Sequence, residues 1–191
     1  ELAQCENALI NHSLCYQNID SALSYVNLLK YPNSYYRLLN YGASISYLNL
    51  DGTTRIRYLK QMIDSKIIDH DLERKGRVLI QLCGILENMH RYMESSVYCN
   101  EAIEIYRELG DDANMIKVLK IMYNNTHHTT EDDSNWEYLY QANEIAQRSG
   151  DSALLADVYS SLGLAHYRNG DQVEAIRYYK MARSLISDKG S

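Results

Sequence analysis

Apolar residues along this chain recur at a period of about forty positions. Val78, Val118 and Val158 fall in one column, Leu82, Met122 and Leu162 in a second, and Ala102, Ala142 and Ala182 in a third. Ile105, Ile145 and Leu185 form a fourth, while Tyr98, Tyr138, Tyr178 and Gly110, Gly150, Gly190 keep the same register. Self-similarity at such a period marks stacked supersecondary units, none of which can bury its apolar face alone.

Each copy reads as two helices. In the last copy Gly150-Asp151-Ser152 joins a glycine that can end one helix in the left-handed region to side chains that can cap the next. Val158, Leu162 and Ala165 then recur at helical spacing, Asn169-Gly170-Asp171 turns the chain, and Val173, Ile176, Tyr179, Ala182 and Leu185 are expected along one stripe of the second helix. Residues 35–48 and 54–68 make a looser pair around Asp51-Gly52. Residues 2–15 and 20–30 make another, with Asp20-Ser21 as its second start and Pro32-Asn33-Ser34 as its closing punctuation. The pattern predicts ten helices in five antiparallel hairpins, at about 1–31, 32–70, 71–110, 111–150 and 151–190, in an all-α chain forming a single domain over 1–191.

Composition supports long helices. Proline occurs once and glycine nine times, and these are the residues that interrupt helices most strongly. Eighteen tyrosines and one tryptophan stand against no phenylalanine, which suits surfaces that are part core and part groove. A net charge of −6 supplies no basic field for nucleic acid. No apolar run approaches the length of roughly 20 residues needed for membrane insertion by this segment. The start at Glu1, without a methionine or signal-like stretch, is expected of a piece of a longer protein. None of the four cysteines forms a C-x-x-C pair, so they read as buried thiols acting as small apolar residues. Cys5 and Cys15, on one helix, would lie about 15 Å apart and out of disulfide reach. Cys83 and Cys99 take facing positions of one hairpin and are a candidate redox pair or, more simply, two small residues at a tight crossing.

The segment Tyr159-Ser160-Ser161-Leu162-Gly163-Leu164-Ala165-His166-Tyr167-Arg168-Asn169-Gly170-Asp171 resembles the first helix and turn of a tetratricopeptide repeat. Ala175, Tyr179 and Ala182 are similar to the small-aromatic-small pattern of its second helix. Gly163 and Ala182 let the two helices approach, and Leu162 and Tyr179 fill the remaining space. The copies at 76–109 and 116–149 keep the pattern with substitutions, among them Tyr123 where a small residue is usual. The resemblance implies a right-handed α-solenoid. Its spacing of forty looks like that of the longer-helix repeats in bacterial signalling and regulatory proteins, where such arrays serve as sensing or docking segments. The implied function is non-enzymatic protein or peptide binding, in either the cytoplasm or the periplasm.

No phosphate loop, zinc-protease helix, nucleophile elbow or calcium loop is present, and no cofactor is expected. The densest polar stretch, Asn124 to Asn135, reads as a long solvated loop. Its His127, His128, Glu131, Asp132 and Asp133 are the only candidate for metal binding and a metal-dependent hydrolase. The resemblance puts the first helix of each pair on the concave face, where Arg77, Gln81 and Asn88 share one stripe and Lys117, Lys120 and Asn124 another. Ser160, Tyr167 and Arg168 occupy the matching face of the last repeat. These cations and amides suit an acidic peptide or a C-terminal carboxylate. Lys120 and Asn124 also resemble the Lys-x3-Asn spacing of repeats that clamp such a terminus. The structural rival is a homodimer through the edge hairpins.

Overall fold

The computed structural model describes residues 12–129 and 135–187. The chain divides into two compact units, Glu1–Met89 and His90–Ser191. The first contains α1 (His12–Tyr25), α2 (Pro32–Leu48), α3 (Gly52–Asp64) and α4 (Leu72–Asn88). The second contains α5 (Tyr92–Leu109), α6 (Asp112–Thr129), α7 (Trp136–Ser149), α8 (Ser152–Arg168) and α9 (Gln172–Ser187). There is no strand among the described residues. Within each unit consecutive helices pack on one another, and in the second α6 also touches α8.

Helix starts follow an aspartate grid. The Asp51 carboxylate accepts from the Thr54 N–H at 2.9 Å, and Asp71 accepts from the Arg74 N–H at 2.9 Å. Asp111 accepts from the Asn114 N–H at 3.0 Å and Asp151 from the Ala153 N–H at 2.7 Å. Asp171 completes the set, accepting from the Glu174 N–H at 3.2 Å. Each satisfies an amide that the first turn leaves without an intrahelical acceptor. Gly110 and Gly150 end α5 and α7 with φ of 65° and 68°, where a side chain would be strained. The repeating columns form the core: Val78, Val118, Val158, Leu82, Met122, Leu162, Ala102, Ala142 and Ala182 are all buried. Gly190 lies outside the described residues.

Five expectations need correction. α1 runs unbroken across the gap expected between residues 15 and 20. Cys15, Ile19 and Leu23 are buried at i, i+4, i+8 along one stripe, whereas Asp20 and Ser21, read as a helix start, lie inside the helix and are exposed. Most of the helix expected at 2–15 falls outside the described residues. Pro32 opens α2 instead of closing the preceding hairpin, because the first turn needs no N–H from it.

Residues from Asn124 to Thr129 are the last turns of α6 rather than a loop. The Thr126 and Thr129 hydroxyls donate back to the Met122 and Asn125 carbonyls at 2.8 and 2.9 Å. Buried Asn125 donates to Ser95 Oγ at 2.8 Å. Glu131, Asp132 and Asp133 lie outside the described residues. Of the stripe expected on α9 through Val173, Ile176, Tyr179, Ala182 and Leu185, Ala182 is buried as expected, whereas Val173, Ile176 and Tyr179 are exposed. A step of three residues drifts off a face that repeats every 3.6, and Ala175, one turn before Tyr179, shares the burial with Ala182.

The cysteines also divide. Cys15 is disulfide-bonded, against the expectation of a thiol. That expectation assumed one helix through both Cys5 and Cys15, but Cys5 lies outside the described residues. Cys83 and Cys99 are both buried and are not joined by a disulfide.

Candidate functional site

α6 and α8 meet in the second unit around a small depression of about 80 Å³, lined by Lys120, Tyr123, Asn124, Leu139, Ser161, Leu164 and Arg168. Helical spacing explains the membership. Lys120, Tyr123 and Asn124 are one turn of α6, and Ser161, Leu164 and Arg168 are an i, i+3, i+7 stripe of α8. Leu139 of α7 is the fully buried floor.

The polar groups are already in contact. Lys120 Nζ donates to both carboxylate oxygens of Asp157 at 2.7 Å. Arg168 donates to Asn124 Oδ1 at 3.3 Å. The Ser161 hydroxyl donates to the Asp157 carbonyl at 3.0 Å. One lysine and one arginine therefore line the depression together with tyrosine and leucine, and Asp157 holds the lysine. Burial pushes the Tyr123 phenol above its ordinary range, and the Arg168 guanidinium partly offsets this. Tyr123 stacks on His127 with ring centroids 5.7 Å apart and tilts against Trp136 at 6.1 Å.

Lys120, Asn124 and Arg168 are thus brought together as α6 and α8 neighbours. Lys117 does not line the depression and donates to Asn114 Oδ1 at 3.1 Å. Ser160 donates to the Ala156 carbonyl at 2.9 Å, and Tyr167 is exposed on α8. Arg77, Gln81 and Asn88 lie on α4 in the first unit. There Arg77 pairs with Glu73 at 3.4 Å, Gln81 accepts from Arg55 of α3 at 2.7 Å, and Asn88 is exposed at the helix end.

Sequence reading missed Tyr123, Leu139 and Asp157. The register could have supplied Asp157, which stands forty residues after Lys117 and eighty after Arg77. The same column that offers a cation in two repeats offers an anion in the third.

His127 and His128 stand on the last turn of α6, where His128 stacks on Tyr92 at 4.5 Å. Among the described residues no group of three or more His, Cys, Asp or Glu is placed to hold a metal ion, and no helix is long and apolar enough to cross a membrane.

No protein-family model and no curated protein sequence matches the chain. Solved structures do. The apo form of RapI superposes with a TM-score of 0.74 at 15% identity, over 94% of this chain and 50% of that one. A Rap protein complexed with competence and sporulation factor gives 0.66 at 17% identity, over 93% and 49%. A Signal Transduction ATPase with Numerous Domains from Pyrococcus horikoshii, with a tetratricopeptide repeat sensor, gives 0.65 at 16% identity, over 91% and 26%. The chain spans about half the length of the two Rap proteins. In fold, this chain is a tetratricopeptide-like array of helical hairpins.

Proposed function

We propose that this chain is a non-catalytic binding module that takes a peptide or partner-protein segment across α6 and α8, as the sensing or docking part of a bacterial signalling or regulatory protein. The observation that carries this reading is the convergence of Lys120, Asn124 and Arg168 on one depression of about 80 Å³. That volume is too small for a whole ligand and suits a single side chain or chain terminus. Ligand pockets of small-molecule sites run several-fold larger. Two cations and an amide beside it favour a carboxylate, from an acidic residue or a free C-terminus. The likeness to a Rap protein crystallised with competence and sporulation factor supports a binding role.

Fluorescence anisotropy with a short acidic peptide, its C-terminally amidated form and a neutral control tests the proposal. A charge-assisted hydrogen bond contributes about 1.5–3 kcal/mol, so Arg168→Ala should weaken carboxylate binding by roughly tenfold or more. Equal binding of all three peptides, or affinity untouched in Arg168→Ala and Lys120→Ala, would remove the depression from consideration as a recognition site.

A further inference from the structure

Two histidines continue the polar stripe of α6 beyond the depression. Lys117, Lys120, Asn124, His127 and His128 stand at i, i+3, i+7, i+10 and i+11 of that helix, which puts the histidines about one turn past Asn124. Both are exposed, and both border residues that line the depression. Tyr123 lines it and stacks on His127 with ring centroids 5.7 Å apart. Arg168 lines it from α8 and lies close enough to act on His128 by charge. The two imidazole centroids are 5.4 Å apart.

Their place on the helix decides what they can do. The last turn of an α-helix leaves carbonyls without intrahelical donors and carries partial negative charge. An anion arriving beside neutral histidines meets that repulsion, whereas protonated histidines set two cations in the same place. Lysine, arginine and carboxylates keep their charge between about pH 5.5 and 7.5. Histidine is the side chain that changes such a face over that range.

The surroundings can accommodate the proton. Asn135 of α7 places Nδ2 3.3 Å from His127 Nδ1, while its Oδ1 is buried without a hydrogen-bond partner. Half a turn of that amide brings the oxygen to where it accepts from a protonated Nδ1, so Asn135 can serve both forms. His128 stacks on Tyr92 of α5 at 4.5 Å, and the Tyr92 hydroxyl lies 2.6 Å from His90 Nδ1. Burial lowers the His128 pKa, and the charges of His127, Arg168 and His90 lower it further. An arriving anion offsets those charges and so draws a proton in with it. Glu131, Asp132 and Asp133 lie outside the described residues.

We propose that His127 and His128 are a proton-dependent subsite for a second acidic group of the ligand, so that the α6–α8 face takes a di-acidic segment and holds it more tightly as pH falls. This rests on the reading of the depression as a carboxylate site, and the test separates the two.

Isothermal titrations use the 191-residue chain and three N-acetylated hexapeptides at about pH 7.5 and 5.5. The first peptide has a free C-terminus and a glutamate two residues before it, about 7 Å away in an extended chain. The second carries glutamine in place of the glutamate, and the third is the first with an amidated terminus. The di-acidic peptide should bind about three- to tenfold more tightly at the lower pH, and the glutamine peptide should gain about twofold or less. His127→Gln/His128→Gln should lose the gain, with circular dichroism to verify its helicity. His70→Gln, exposed in the first unit, should keep it. Wild type alone gives a second measure: titrations near pH 6.5 in buffers of different ionisation enthalpy should show net proton uptake with the di-acidic peptide. Where the free terminus is preferred over the amidated one, three results overturn the subsite alone: an equal gain with glutamine, a gain kept in the double variant, or no proton uptake. Equal binding of the free and amidated peptides at both pH values removes the carboxylate site itself, and the subsite with it.

Discussion

The ring of Tyr58 on α3 lies against the backbone of Gly42 on α2 so closely that a Cβ built on the glycine would stand 2.6 Å from the ring. The same relationship recurs between Gly163 on α8 and Tyr179 on α9, where the distance is 3.0 Å. Both pairs are sixteen residues apart, so one hairpin geometry is written twice. The Tyr58 ring cannot easily yield. It is fully buried, its hydroxyl donates to Asp20 at 3.0 Å, and the Arg57 guanidinium lies 4.2 Å above it. Burial pushes its phenol up to about 12, partly offset by Arg57.

Gly42→Ala should therefore destabilise the protein by about 1–3 kcal/mol, the usual cost of overpacking a tight crossing. Gly84→Ala is the control. It sits inside α4 with open space where a Cβ would go, so removing a helical glycine should stabilise by up to about 1 kcal/mol. Urea denaturation of the two variants checks the pair. Equal midpoints would show that the glycines at these crossings are not set by contact.

Leu50 adopts a left-handed backbone with φ of 56° in the turn between α2 and α3. Its column elsewhere holds His90 at φ 59° and Gly170 at φ 84°. The side chain is 91% exposed, so almost no burial compensates for a conformation that costs a non-glycine residue roughly 1–2 kcal/mol. Leu50→Gly should raise stability by about 0.5–1 kcal/mol, part of the gain being lost to the freer unfolded chain. A lowered thermal midpoint would mean that the turn is held by the leucine.

Much of the fold was legible because the buried columns carry the period themselves. Val78, Val118 and Val158 are core residues for the same geometric reason, and that reason is visible in one dimension. Lys120 and Asn124 were legible as one helical face for the same reason. The ion pair from Lys120 to Asp157 was not, since it joins two helices thirty-seven residues apart, and the periodicity of one helix says nothing about its neighbour. The tail of α6 was hidden by its polarity. Threonines that bond back to their own helix and histidines that stack on Tyr123 and Tyr92 look like loop residues until those partners are known.

His128 gives the protein an acid-side weakness. Burial lowers its pKa, and the nearby charges of His127 and Arg168, with His90, act in the same direction. Tyr92 of α5 stacks on its ring. The folded state thus holds this proton less tightly than the unfolded state, whose histidine titrates near about 6.5. Above that pH both states are neutral and the residue contributes no pH dependence. As pH falls through it, the unfolded state gains protons first and stability drops. The thermal midpoint of wild type should fall as pH drops below about 6.5, and that of His128→Gln should fall less. An identical fall in both would assign the effect to other groups.

Asp157 sets the resting state of the depression. Its carboxylate holds Lys120 Nζ with both oxygens at 2.7 Å, so a carboxylate ligand has to share or displace it. The pair is partly solvent-exposed on both sides, and such pairs contribute only about 0–1 kcal/mol to folding. Asp157→Asn should accordingly change stability by less than about 1 kcal/mol. Its effect on binding should be larger in proportion, because the substitution removes an anion that competes for Lys120 and repels a carboxylate. Affinity for an acidic peptide should rise roughly three- to tenfold, equivalent to about 0.7–1.4 kcal/mol, with the gain shrinking at high salt. A neutral, amidated peptide should show no gain. Isothermal titration of both peptides against wild type and Asp157→Asn measures the difference directly. If Asp157→Asn weakens binding instead, Asp157 is itself a ligand contact, and the recognised group is a cation rather than a carboxylate.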